Sequence, residues 1–149
     1  MAEHLATIEW HSDGHFREGR YSRVHEISFD GGARVAGSAS PDVVRPPMSD
    51  PKAVDPEEML VASAAACHML WFLDLARRAG LAIASYRDEA RGVMGNLDGR
   101  TAITNIVLRP RIAFEGEQPD DATLARLHHE AHEHCFIANS LRSEVTVES

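Results

Sequence analysis

Cysteine is scarce in this chain: Cys67 and Cys135 are its only two, 68 positions apart in 149 residues. That separation excludes a local CxxC unit, and two cysteines are too few for a disulfide scaffold. In a reducing compartment each is therefore structural, metal-binding or redox-active. Positive charge is also in deficit. With a net charge of −8 and scattered lysines and arginines, the chain lacks the footprint that holds phosphate backbones, so nucleic acid is not an expected partner. The stretch Met1-Ala2-Glu3-His4-Leu5-Ala6-Thr7-Ile8-Glu9-Trp10 has neither a basic opening nor an apolar run of signal-peptide length, which gives the expectation of a cytoplasmic protein. Repeats, low-complexity tracts and composition breaks are missing too. What remains, 44% apolar and 26% charged residues, is ordinary for a globular chain and predicts one domain over 1–149.

The most telling absence is local. Between Met59 and Leu73 no residue carries a full charge, so this segment is apolar on every face. Asp55 is a good N-cap, Pro56 suits the first helical position, and Glu58 completes a capping-box spacing. Arg77 and Arg78 suit the negative end, and Gly80 is a ready left-handed cap. A helix from Pro56 to about Ala79 is predicted, buried all round. One small sheet covers one side of such a helix; the small residues Ala62, Ala64, Ala65 and Ala66 would let a second helix or a second copy of the chain cover the other. The uncharged run is shorter than the ~20 residues a bilayer core requires, so no membrane is expected.

Around this helix the patterning alternates. Leu5–Trp10 and Val24–Phe29 read as half-buried strands, and Asp30-Gly31-Gly32 is a tight turn into a third strand over Ala33–Ser38. Ala39–Val54, with Pro41, Pro46, Pro47 and Pro51, reads as an ordered surface connection. Leu81–Met94 and Thr101–Leu108 flank the turn Asn96-Leu97-Asp98-Gly99 and form a second hairpin continuing past Pro110 towards Phe114. Thr123–His134 reads as an amphipathic helix with Leu124, Leu127, Ala131 and His128 facing inward, and Leu141–Val147 as a closing strand. Runs of strands separated by helices predict an α+β domain.

The segment His128-His129-Glu130-Ala131-His132-Glu133-His134-Cys135 invites a metal reading, since His128 and His132 share a helical face. The zinc pattern HExxH fails, because Glu133 stands where the second histidine would have to be. A solvated face is the preferred reading, and no metal site is expected.

Asp55-Pro56-Glu57-Glu58 followed by Ala65-Ala66-Cys67, with a second cysteine and Asn139-Ser140-Leu141 near the end, resembles the OsmC/Ohr family over nearly the whole chain. The ten-residue step from Glu57 to Cys67 is that family's own spacing. The resemblance implies an intertwined homodimer with antiparallel sheets packed around a long buried central helix, and a thiol-dependent peroxidase that reduces organic hydroperoxides. It makes Cys67 the peroxidatic and Cys135 the resolving cysteine, and Glu57 the partner of an active-site arginine supplied by the amino-terminal region. Of Arg17, Arg20 and Arg23, Arg23 is preferred and Arg20 is second. Two departures stand out: His68 follows the peroxidatic cysteine where an aromatic is frequent, and Phe136 follows the resolving cysteine where proline is frequent.

Only a thiolate attacks an O–O bond, and a free thiol near pKa ~8.5 is mostly protonated at neutral pH, so a neighbouring guanidinium would favour the reactive form. Arginine stays protonated, and its planar fork can hold Glu57 on one side and face sulfur on the other. Ten residues at ~1.5 Å each put Glu57 ~15 Å from Cys67 along a straight helix, so a bridge or a second copy must join them. Met69, Leu70, Trp71 and Phe72 are candidate walls of a greasy substrate pocket. No cofactor is implied; recycling calls for an external dithiol, possibly a lipoylated protein. The alternatives are an OsmC-like binding protein for a small molecule or metal without efficient peroxide turnover, and a purely structural interaction protein.

Overall fold

The computed structural model describes residues 2–148, as two compact units, Met1–Met59 and Leu60–Ser149. In the first unit, β1 (Ala6–Glu9), β2 (His25–Phe29) and β3 (Arg34–Gly37) form an antiparallel sheet in that order, with Ile8 opposite Ile27 and Ile27 opposite Val35. The predicted Asp30–Gly32 turn closes the second hairpin: Gly32 takes φ 100°, open to glycine, and its N–H donates to the Phe29 carbonyl at 2.9 Å. A short 3-10 helix, Phe16–Glu18, lies in the loop between β1 and β2. The proline-rich connection that follows is irregular, as expected, with a cis Pro46–Pro47 bond.

The long helix α1 spans Pro56–Arg78 and starts with the reciprocal cap that the sequence predicts. The Glu58 N–H donates to Asp55 Oδ1 at 2.7 Å, and the Asp55 N–H donates to Glu58 Oε1 at 3.0 Å. Its burial differs from the expectation. Within one chain only the stripe Ala64, His68, Phe72 and Ala76 is closed off, while Ala62, Ala66 and Leu70 are exposed. At 23 residues the whole helix is long and apolar enough to cross a membrane, so length does not exclude a bilayer span. The packing of its buried stripe onto strands and a helix of the same chain is that of a core helix.

The second unit corrects the single hairpin expected after Gly80. The region Leu81–Met94 is two strands, β4 (Ile83–Asp88) and β5 (Arg91–Leu97), and the return is likewise split into β6 (Arg100–Leu108) and β7 (Pro110–Phe114). β5 and β6 pair around the predicted turn, whose Asp98 and Gly99 both have positive φ, whereas β7 leaves to pair with β4. Pro110 has no N–H to continue the ladder, and Arg109 at the break is tied to Asp88 Oδ1 through its N–H (2.7 Å) and to the Glu89 carbonyl through Nε (2.9 Å). The amphipathic helix α2 runs Asp121–His134, two residues earlier than predicted, because Asp120 caps it by accepting from the Thr123 N–H at 2.7 Å. A short helix α3 (Phe136–Ser140), unforeseen, precedes β8 (Glu144–Val147), which lies parallel to β6 beside otherwise antiparallel ladders. Two apolar clusters form the core: Ala64 with Ile103, Ile106, Leu108 and Val145, and Phe72 with Ala76, Leu127 and Ala131.

Candidate functional site

Cys67 sits at the middle of α1, half-buried; Cys135 stands at the junction of α2 and α3, 1% exposed, and both thiols are free. The fold brings the two near each other: Cys67 is close enough to Cys135 to raise its pKa. Local backbone holds Cys135 in place. It ends α2 and begins α3, its sulfur accepting from the Ala138 N–H at 3.4 Å in the manner of a helix cap. Burial pushes its pKa above the usual thiol range, the Ala138 N–H pulls the other way, and Cys67 beside it adds to the rise. Cys135 is therefore kept as a thiol, while Cys67 is the more accessible sulfur.

The residues expected to activate the thiol are placed differently. Arg20 is exposed and pairs with Glu18 at 2.6 Å. Arg23 lies over the Tyr21 ring, 3.5 Å from its centroid, and donates through Nη1 to the Tyr21 carbonyl at 2.5 Å. Neither pairs with Glu57, whose Oε2 is buried with no hydrogen-bond partner among the described residues. Within the described residues Arg23 is occupied by its own strand-entry backbone, and the Glu57 carboxylate is left with one buried oxygen unpaired. Arg23 does line a cavity of about 450 Å³ in the first unit, with Ile8, Trp10, Phe16 and Tyr21. Trp10, Phe16 and Tyr21 pack on one another at centroid distances of 4.9–5.8 Å, an aromatic cluster that no local sequence pattern signals.

The four residues expected to wall a substrate pocket are spread around the helix. Phe72 is fully buried in the second core cluster, Leu70 is 62% exposed, and Met69 and Trp71 are half-buried without lining either described cavity. Successive helical side chains point about 100° apart, so four in a row cannot share one wall. Trp71 instead stacks on His134 at 4.9 Å and meets Phe136 edge-on at 5.6 Å, which places an aromatic patch beside Cys135 in the chain.

The second unit also holds a histidine pair between α1 and α2. His68, 1% exposed, joins His128 through an Nε2···Nδ1 hydrogen bond of 3.0 Å, with ring planes 9° apart. Phe72 stacks on His128 at 4.3 Å. Burial, with His128 and then His132 nearby, lowers His68 to a pKa of about 4, and burial alone lowers His128 to about 4. Both are neutral at physiological pH. His128 facing inward was legible from the helical period; its partner sixty positions away was not. No group of three or more His, Cys, Asp or Glu able to hold a metal occurs among the described residues.

Comparison with known proteins follows the same outline. Residues 49–149 match the family model described as OsmC-like protein. An OsmC-like protein of unknown function from Vibrio cholerae superposes with a TM-score of 0.96 at 45% identity, covering 99% of each chain. An organic hydroperoxide resistance protein from Elizabethkingia anophelis shares the fold, with a TM-score of 0.72 at 16% identity over 100% of this chain and 97% of that one. The uncharacterized protein YmaD of Bacillus subtilis is 26% identical over 96 residues, 63% of this chain and 64% of that protein. The family model covers more than half of the sequence and includes both cysteines: the chain belongs to the OsmC-like protein family.

Proposed function

We propose that this protein is a thiol-dependent peroxidase for organic hydroperoxides. The observation that carries the reading is the meeting of Cys67 and Cys135, distant in sequence, on α1 and at the cap of α3. The Cys67 thiolate attacks the O–O bond of ROOH, giving a sulfenic acid and an alkoxide that takes up a proton to leave as ROH. Cys135, held as a thiol beside it, attacks the sulfenic sulfur; its proton and the hydroxyl leave as water, and a Cys67–Cys135 disulfide remains. An external dithiol, a lipoylated protein being one candidate class, then exchanges with that disulfide and restores both thiols.

In this reading Arg23, or Arg20, turns towards Cys67 and the unpartnered Glu57 carboxylate holds it, within a homodimer assembled on the uncovered Ala62, Ala66 and Leu70 stripe. A cytoplasmic protein without a bound cofactor fits this chemistry. One equivalent of cumene hydroperoxide should remove both free thiols without intermolecular crosslinking, counted by mass spectrometry. Cys67→Ser should lose turnover, whereas Cys135→Ser should consume about one equivalent and accumulate trappable sulfenic acid. Full multiple-turnover activity in Cys67→Ser would overturn the reading; two thiols untouched by peroxide would leave an OsmC-like binding protein.

A further inference from the structure

The second unit contains a cavity of about 740 Å³, within the range of small-molecule sites, between β7, α2 and β8. Its walls are largely apolar, from Ile112, Phe114, Leu124, Val145 and Val147. No lysine or arginine lines it; the formally charged lining residues are Asp121 and Glu148, both negative, and His129 and His132 stand with His128 on the α2 side.

His128 is a special wall, because its Nδ1 is already taken by His68. Two tautomeric arrangements can make that bond. If His128 Nδ1 donated, His68 would carry its proton on Nδ1, and that nitrogen is buried with no partner among the described residues. A buried N–H without an acceptor is the rarer and costlier orphan. The favoured arrangement has His68 Nε2–H donating to His128 Nδ1, which leaves a bare lone pair on His68 and puts the His128 proton on Nε2. In that arrangement His128, a residue of the cavity wall, has its Nδ1 held by His68 and its remaining N–H on Nε2, and burial keeps it uncharged.

We propose that this cavity is a binding site for a neutral amphipathic molecule, an apolar body ending in one hydrogen-bond-accepting oxygen of the alcohol or ketone class, received by His128 Nε2–H. A carboxylate is disfavoured by Asp121 and Glu148 and finds no guanidinium or ammonium there; an ammonium offers no acceptor to His128. The site does not depend on the redox chemistry of Cys67 and Cys135, so it stands or falls separately.

The test uses the reduced full-length protein at pH 8, titrated with 2-octanone, 1-octanol, octanoate and octylamine by calorimetry, together with long-range proton–nitrogen NMR of the histidine rings. Saturable binding of 2-octanone and 1-octanol is expected, at least tenfold tighter than octanoate or octylamine, with a shift at His128 Nε2. His128→Phe should weaken 2-octanone at least tenfold. Ala125→Phe, at an exposed lining position that tolerates bulk without disturbing the core, should abolish binding by filling the space. Absence of saturable binding, preference for octanoate or octylamine, indifference to Ala125→Phe, or a His128 proton found on Nδ1 would each overturn the proposal.

Discussion

Two stripes of the same helix teach different things. Ala64, His68, Phe72 and Ala76 face β6 and α2 and are closed from solvent; Ala62, Ala66 and Leu70, offset by two residues, lie nearly half a turn away and are bare. Composition does not distinguish them, since the bare stripe is the wholly apolar one and the buried stripe contains a histidine. What differs is whether a partner exists in the chain. The buried histidine is tolerated because sixty residues later the sequence supplies His128.

The comparison can be broken most sharply by truncation. Phe72→Ala should cost about 3–5 kcal/mol in denaturant unfolding, as large-to-small core changes do, whereas Leu70→Ala on a folded monomer should stay within about 0.5 kcal/mol. Equal losses at the two positions would show that Leu70 is covered in solution. Next comes a packing test on the flank of the same helix. A Cβ at Gly92 would stand 2.6 Å from Val61 Cγ2, and a valine side chain in a helix has little rotamer freedom, so Gly92→Ala should lose about 1–3 kcal/mol. A wild-type melting profile for Gly92→Ala would refute that packing.

The histidine pair sharpens the contrast through pH. Both imidazoles have folded pKa values of about 4, lowered from 6.5, so the unfolded chain binds more protons between those values. Their contribution is full above pH ~6.5 and declines as pH falls towards ~4. Stability measured by urea unfolding at pH 5 and pH 7 should differ in that direction, and His68→Leu, though about 1–3 kcal/mol weaker at pH 7, should show a flatter profile. An unchanged slope would mean the pair does not titrate as described. The smallest effect on the fold, and the most direct on the bare stripe, is Leu70→Asp: folding should persist while a dimer seen by sedimentation dissociates. A dimer indifferent to Leu70→Asp would move the proposed interface elsewhere.

The sequence by itself determined the elements whose ends are encoded within a few residues. Asp55, Pro56 and Glu58 set the start of α1, Arg77 and Arg78 mark its end, and Asp30-Gly31-Gly32 and Asp98-Gly99 close two hairpins, because caps and tight turns are satisfied by neighbours in the chain. It also singled out both cysteines. Tertiary structure alone decided that His68 meets His128, that β4 pairs with β7 and that β8 lies parallel to β6; it also sets Cys67 beside Cys135, a pair the family resemblance implies. It likewise sent Phe72 into the core and left Leu70 bare, and it kept Arg23 on Tyr21 instead of Glu57. The physical reason is that period and propensity fix which way a side chain points along its own element, whereas its partner is chosen by packing across the fold, where sequence separation carries no information.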